Sequence, residues 1–302
     1  MNVRSRVRPV AVLDIGSNSV RLDVRVTADP KSEVMIRRKS LCRLGKDMTL
    51  DNALSKTRMD YTLKTLKKYK RIIDGNDVEK VKAVATAAVR SASNGQQFIQ
   101  MVNDMLGLSI DVIEGDEEAR LVALGVISSL SFPFTGLVAD LGGGSLELVR
   151  VENNKIKELT SLPLGLQRIP DTELSTRQFI WGHLDKLSWL KKETPYLVCV
   201  GGTWRACAKL DQANLGLPLG DVHEHKIDSE RTVEVCDWLI TETFKKSKAR
   251  DAIEKHRQKE IPLAAFVLKT LHSYCHKPAV LFSQAGIREG CFVDMQDTQA
   301  VA

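Results

Sequence analysis

An α/β fold in two lobes is what this sequence predicts, and three observations predict it. The chain has 302 residues, more than one domain usually holds. Short apolar runs alternate with amphipathic stretches along its length, the pattern of mixed strands and helices. One segment also returns: Val12-Leu13-Asp14-Ile15-Gly16-Ser17-Asn18-Ser19 is followed 126 positions later by Val138-Ala139-Asp140-Leu141-Gly142-Gly143-Gly144-Ser145. At that offset Asp14 matches Asp140, Gly16 matches Gly142, Ser19 matches Ser145 and Leu22 matches Leu148.

In both copies an apolar run reaches an Asp, a turn follows, and a second mostly apolar segment resumes, Val20 to Val26 and then Leu146 to Val151. That order reads as a hairpin. It is unlike a Walker loop or a dinucleotide fingerprint, in which a helix follows the glycines. Between the hairpins, Met59, Leu63, Leu66 and Ile73 fall at near-helical spacing, with Lys64, Lys67, Lys68, Lys70 and Arg71 among them, so an amphipathic helix with a basic face is expected. A strand is expected at Val81 to Val84 and a helix at Gln96 to Met105. A further strand from Leu108 to Ile113 precedes a helix capped by Asp116 and running through Val126. Pro133 punctuates the chain just before the echo, which puts the lobes at residues 1–132 and 133–302. In the second lobe a strand at Leu197 to Val200, a Gly201-Gly202-Thr203 loop and a helix from Trp204 to Leu210 follow. Helical periodicity returns at Arg231 to Phe244 and Ile261 to His272. No Pro-rich linker separates the lobes, so they are expected to pack around a cleft.

Composition narrows the function classes. No apolar run approaches the length that spans a bilayer, and Met1 to Pro9 is basic without a signal-peptide core, so a cytoplasmic protein with no membrane partner is expected. The six cysteines are scattered without a CxxC pair, which speaks for reduced, buried thiols and against structural zinc. The formal charge of +6 suits a polyanionic partner, although a mildly basic balance can serve solubility alone. The basic helix has the same plain alternative, a solvated surface.

Tight turns built from small residues let backbone N–H groups approach a phosphate. Gly16-Ser17-Asn18-Ser19 and Gly142-Gly143-Gly144-Ser145 supply two such turns, with hydroxyl and amide donors besides. Asp14 and Asp140 stand at the strand ends beside them, where a carboxylate can hold Mg2+ while phosphate oxygens complete its shell or merely cap its own turn. Glu147 lies two residues past the second turn, on the face of Ser145. Glu117 and Glu118 open a helix directly after a strand. Either satisfies the helix dipole, and either could activate water for in-line attack on a phosphoryl group. Arg90 has the planar fork that matches phosphate oxygens. His223 and His225 lack further ligands at useful spacing, and Cys199 sits in an apolar run with no cation to activate it.

In this order the motifs closely resemble the Ppx/GppA phosphatases. Asp14-Ile15-Gly16-Ser17-Asn18-Ser19, then Ala85-Thr86-Ala87 to Arg90 and Asn94, then Glu117-Glu118-Ala119-Arg120-Leu121 carry the first half of the resemblance. Asp140-Leu141-Gly142-Gly143-Gly144-Ser145, Pro163-Leu164-Gly165, Gly201-Gly202-Thr203-Trp204-Arg205 and Gly286-Ile287-Arg288-Glu289-Gly290 carry the second. The resemblance covers about Val10 to Val293. It implies the actin-like fold of actin, sugar kinases and Hsp70: two ribonuclease H-like lobes, each on a five-stranded sheet, with the active site in the cleft between them and the last helix crossing back to the first lobe. It implies Glu118 as general base, Arg90 on the terminal phosphate, Mg2+ near Asp140 and Glu147, and phosphates held by the turns and by Gly201, Gly202 and Thr203. Inorganic polyphosphate is the implied substrate, releasing orthophosphate; the alternative is hydrolysis of pppGpp to ppGpp, in the stringent response. Neither nucleic acid nor membrane is an expected partner, and a homodimer is compatible with the family.

The chain resembles the short form, without the helical HD-like domain of longer members. It departs from the pattern at Leu146, where the family has Thr, at Asp23, which interrupts an apolar strand, and around His223 to Lys226. Two other readings compete. A kinase of the same fold would release ADP in the presence of an acceptor. A sensor would bind polyphosphate or an alarmone without turnover.

Overall fold

A computed structural model of the chain describes residues 8–48, 51–170 and 173–300, so the basic start Met1 to Val7 lies outside the described residues. Two compact units divide it. One takes the described residues up to Ser129 together with the segment from Ile287, and the other runs Leu130–Gly286.

The first unit is a five-stranded sheet in the order β3-β2-β1-β4-β5, with strands β1 (Val10–Ile15), β2 (Val20–Arg25), β3 (Val34–Ser40), β4 (Lys80–Ala85) and β5 (Asp111–Val112). The first three are antiparallel neighbours, and β4 and β5 continue parallel to β1. β1 is apolar on both faces because both are covered. Ala11, Leu13 and Ile15 join the core on the side of α1 (Lys56–Asp74), which is capped by the Ser55 side chain. Past the short α2 (Ala87–Ser91), α3 (Gly95–Leu106) lends Phe98 and Val102 to the same core and ends at Gly107 in the left-handed conformation. Val10 and Val12 pack on the other side, with Leu121 of α4 (Gly115–Ser129).

The second unit repeats the plan with one strand more. Its sheet has six strands in the order β10-β11-β9-β6-β7-β8, where the resemblance implied five. They are β6 (Gly136–Leu141), β7 (Leu146–Glu152), β8 (Lys155–Leu162), β9 (Tyr196–Val200), β10 (His225–Ile227) and β11 (Ala279–Phe282). The hairpin β6-β7-β8 is antiparallel, β9 and β11 run parallel to β6, and β10 is the added antiparallel edge. Helices α5 (Glu173–Leu184), α6 (Gly202–Asn214), α7 (Ser229–Ile240), α8 (Glu242–Lys246) and α9 (Ile261–Tyr274) complete the unit. The single helix expected over Arg231 to Phe244 is broken at Thr241, which is extended. Two antiparallel strands leading into parallel ones, in both sheets, form the ribonuclease H-like sheet of actin-type proteins.

α10 (Ile287–Ala300) lies in the first unit, and the second runs Leu130–Gly286. Gly290 permits this docking: a Cβ there would stand 1.7 Å from the Leu121 carbonyl oxygen of α4. Cys291, Phe292 and Met295 fill the same cluster as Val12 and Leu121. Asp23 explains itself here. It is fully buried, accepts two hydrogen bonds from Arg37 at 3.1 and 2.9 Å, and takes a third from Arg288 of α10 at 2.6 Å. All six cysteines are buried free thiols. Burial pushes the Cys199 thiol well up, against any nucleophilic role. Among the described residues no helix is long and apolar enough to cross a membrane.

Candidate active site

In an α/β sheet, function gathers at the carboxyl ends of the parallel strands, and in the first unit three motifs meet there. The β1-β2 turn closes with Gly16 N–H donating to Ser19 O at 3.1 Å. Its carbonyls are held from behind: Arg43 N–H donates to Asn18 O at 2.8 Å and Gly45 N–H to Ser17 O at 2.9 Å. Ser17 and Ser19 are buried and Asn18 is half-buried. Asp14 stands opposite Arg21 in the β1-β2 register. Burial raises the Asp14 carboxyl above its usual range, while the charges of Arg21 and Arg288 oppose that rise.

The neighbouring strand ends deliver the other two motifs. Thr86 N–H donates to Ile15 O at 3.2 Å, extending the β1-β4 ladder, and Ile113 N–H donates to Ala85 O at 3.1 Å. α2 therefore starts beside the first turn, and α4 starts beside α2. One nitrogen of Arg90 donates to Ile113 O at 2.8 Å and to Glu118 Oε2 at 3.0 Å. Both side chains are mostly buried. Glu117, one position earlier, turns elsewhere: Arg120 grips it with two hydrogen bonds of 2.7 and 2.8 Å and also reaches Asp294 of α10 at 2.5 Å. The residue types alone left these two glutamates equivalent; their partners separate them. Asn94 holds the Leu54 backbone through both its side-chain atoms, at 2.8 and 3.0 Å.

The second unit has the same construction. Gly142 N–H donates to Ser145 O at 3.0 Å, and the turn's carbonyls accept from Leu166 N–H at 3.1 Å and Gln167 N–H at 2.9 Å. Gly165 presses against Gly143 and Gly144, and a Cβ on it would come within 2.3 Å of their backbone. Asp140 pairs directly with Glu147 in the β6-β7 register, which puts two carboxylates on one face of the sheet. Glu147 is 2% exposed and accepts from Ser161 Oγ at 2.7 Å. At the end of β9, Gly201 has φ +104°, and a Cβ on it would meet Leu141 O at 2.7 Å and Asp140 Oδ1 at 2.9 Å. Only glycine fits.

Gly202 and Thr203 open α6 on a support that the sequence reading missed. The Arg257 guanidinium lies against Gly202, where a Cβ would be 2.5 Å from it, and donates to Thr203 Oγ1 at 3.3 Å. Thr203 in turn donates to Glu260 Oε2 at 3.2 Å and is buried. Its hydroxyl therefore braces the loop. Arg257 and Glu260 lie more than fifty residues downstream of the loop, and no local pattern announces them. Leu146 pairs with Leu141, on the face opposite Asp140 and Glu147, and belongs to the apolar core. Thr in its place would not add a hydroxyl to the carboxylate face. His225 stacks on Phe282 and hydrogen-bonds Asp211, a structural role.

A model of the Ppx/GppA phosphatase family matches residues 24–299. The chain belongs to this family. It is 31% identical over 216 residues to a bifunctional 3-dehydroquinate synthase/phosphatase of Fusobacterium nucleatum, covering 64% of this chain and 32% of that one. It is 34% identical over 174 residues to a guanosine-5'-triphosphate,3'-diphosphate pyrophosphatase of Vibrio vulnificus, covering 56% of this chain and 35% of that one. The chain thus spans about a third of the length of these curated relatives. Among solved structures, the Ppx/GppA family member of Aquifex aeolicus is 30% identical with a TM-score of 0.80, over 97% of this chain and 98% of that one. An exopolyphosphatase of Cytophaga hutchinsonii is 24% identical with a TM-score of 0.84, over 96% and 98% of the two chains, a likeness of fold. The Ppx/GppA framework here therefore extends over both units.

Proposed function

We propose that this Ppx/GppA protein is an exopolyphosphatase that hydrolyses the terminal phosphoanhydride of inorganic polyphosphate and releases orthophosphate. The observation that carries the reading is the pairing of Glu118 with Arg90 at the strand ends while Glu117 is held by Arg120. A phosphoryl hydrolase needs a base beside the terminal phosphate and a cation upon it, and this pair supplies both. Arg90, anchored on the Ile113 carbonyl, would bind the terminal phosphoryl oxygens. Glu118 would orient the attacking water and accept its proton. Within the first unit the amides of the Gly16 to Ser19 turn would donate to phosphate, and within the second the Gly142 to Ser145 turn, with Gly201 and Gly202, offers donors of the same kind.

The acids of the second hairpin fit Mg2+. No cluster of three or more potential ligands occurs among the described residues, and Mg2+ is commonly bound by one or two carboxylates with phosphate and water completing its shell. Asp140 and Glu147, opposed on one face, are such a pair. When bound, Mg2+ would offset phosphate charge and help orient the substrate.

A second substrate is favoured by one finding, the name of the Vibrio relative, which makes pppGpp the alternative. The deciding experiment is phosphate release with Mg2+ from polyphosphate and from pppGpp. It compares the native chain with Glu118→Gln and Glu117→Gln. Release from polyphosphate that falls about 10²- to 10⁴-fold in Glu118→Gln and only severalfold in Glu117→Gln is the expected result. Equal losses would overturn the assignment of the base, release from pppGpp alone would move the substrate, and binding without release would return the sensor reading.

A further inference from the structure

The excess charge of this protein is concentrated on one helix. α1 carries seven Lys or Arg against two Asp, a net +5, which leaves 37 basic and 36 acidic residues in the rest of a chain whose total is +6. Four of the seven, Lys64, Lys67, Lys68 and Arg71, are exposed at spacings of three, four and seven, so they form one stripe along the solvent face. Among the described residues none of the four takes part in an ion pair.

Only part of this arrangement is rewarded inside the protein: Arg58 pairs with Asp47, Lys70 with Asp74, and Arg71 stands in the last turn, where the dipole favours a cation. Like charges three and four apart on a helix are mutually destabilising. Lys56 sits in the first turn, where the helix dipole disfavours a cation and the turn itself carries no acid. A helix that needed only solubility could interleave acids, as Lys70 does with Asp74 at its end. Charge held at a cost with no internal partner indicates an external one of opposite sign.

The helix that carries the stripe is also tied at its start to the proposed phosphate site. The loop that holds the first turn, through Arg43 and Gly45, runs on to Asp47, and Asp47 is bonded to Arg58 of α1 at 3.2 and 2.7 Å. From Arg58 to Arg71 the helix rises about 20 Å, long enough for several linked phosphates. A guanosine nucleotide confines its phosphates to two short clusters and cannot follow that path; a linear polyphosphate can.

Resting on the exopolyphosphatase reading, we propose that the exposed stripe of α1 is a distal subsite for the polyphosphate chain, so that affinity grows with chain length beyond what the catalytic residues hold. The test is a fourfold variant, Lys64→Gln, Lys67→Gln, Lys68→Gln and Arg71→Gln, which keeps helix propensity and alters no site residue. Phosphate release from long-chain polyphosphate and from tripolyphosphate is measured across a salt series, alongside equilibrium binding of long-chain polyphosphate and of single-stranded RNA. For the long chain, KM rises about tenfold at low salt with kcat unchanged, and the log-log salt slope shrinks by about 3, at roughly 0.7 per lost contact. Tripolyphosphate kinetics stay within about twofold of native. Unchanged long-chain KM, or equal changes for both lengths, overturns the subsite. Loss of RNA affinity with long-chain polyphosphate affinity intact also overturns it, in favour of a nucleic-acid surface. If the native chain hydrolyses neither substrate, the exopolyphosphatase reading fails by itself, and the binding titration still decides the stripe: undiminished polyphosphate affinity in the variant overturns it.

Discussion

The two hairpins at the heart of the units share a backbone and differ in charge. Each turn closes with the same hydrogen bond, Gly16 to Ser19 and Gly142 to Ser145, and each is held from behind by amides of the loop that leaves its third strand. Each sets a carboxylate at the same register, yet Asp14 faces Arg21 and Asp140 faces Glu147. Directly opposed unlike charges stabilise a sheet, and opposed like charges cost unless a proton or cation joins them. A repeated scaffold therefore fixes where a carboxylate stands, and the identity of one cross-strand neighbour sets what it seeks. In the first hairpin the Arg21 charge opposes the rise that burial imposes on Asp14; in the second, Glu147 faces Asp140, the pair proposed above for Mg2+.

The largest test of that contrast is Asp140→Asn. Phosphate release falls about 100-fold or more at saturating Mg2+, because metal assistance supplies several kcal/mol, and calorimetry shows weakened Mg2+ binding. Asp14→Asn leaves Mg2+ binding intact; if both variants lose it alike, the contrast is broken. Next comes Gly201→Ala, set against Thr86→Ala at the matching strand end of the first unit. Gly201 has positive φ and a backbone oxygen in the way, so its substitution costs about 1–3 kcal/mol in a urea titration, whereas Thr86, with φ −118° and no side-chain cap bond, loses about 1 kcal/mol or less. Arg21→Gln follows: KM for polyphosphate rises about tenfold while the Mg2+ midpoint stays put, and a shifted midpoint would mean that the first hairpin also serves the metal.

The smallest effect concerns acid stability. Burial raises the Asp294 carboxyl, but hydrogen bonds and charges from Lys82 and Arg120 outweigh it and hold the group below its ordinary value. In the second unit burial raises Asp211, and His225 and Arg231 likewise bring it below. A depressed carboxylate stabilises above its unfolded pKa near 4 and loses that contribution as pH falls through the folded value. Asp294→Asn therefore flattens the acid limb of stability by about 1 kcal/mol or less, given a quarter-exposed side chain. An unchanged limb in thermal melts between neutral pH and pH 3 would discount the pair.

Local pattern made the hairpins legible, because an apolar run, an Asp and a small-residue turn are contiguous. What remained hidden depends on distance along the chain. Glu117 and Glu118 differ only by their partners, and the partner that completes the Glu117 cluster, Asp294, is 174 residues from Arg120. β3 reads Val34 to Ser40 with Arg37-Arg38-Lys39 exposed, the charged look of an edge strand, so periodicity passes over it. The sixth strand, β10, is three residues long, below what alternation can register. Leu108 to Ile113 was expected as a full strand, but only Asp111–Val112 pair, since apolar character marks burial rather than ladder bonding.

The return of α10 to the first unit sets an order on biosynthesis. The segment Leu130–Gly286 leaves the ribosome as one uninterrupted stretch, whereas the first unit's sheet waits for a helix encoded after it. At 5–20 residues per second, that wait is on the order of ten seconds or more. Throughout it Val10, Val12 and Leu121 lack the cover that Cys291, Phe292 and Met295 provide. The second unit can complete its core while the first still lacks the cover of α10.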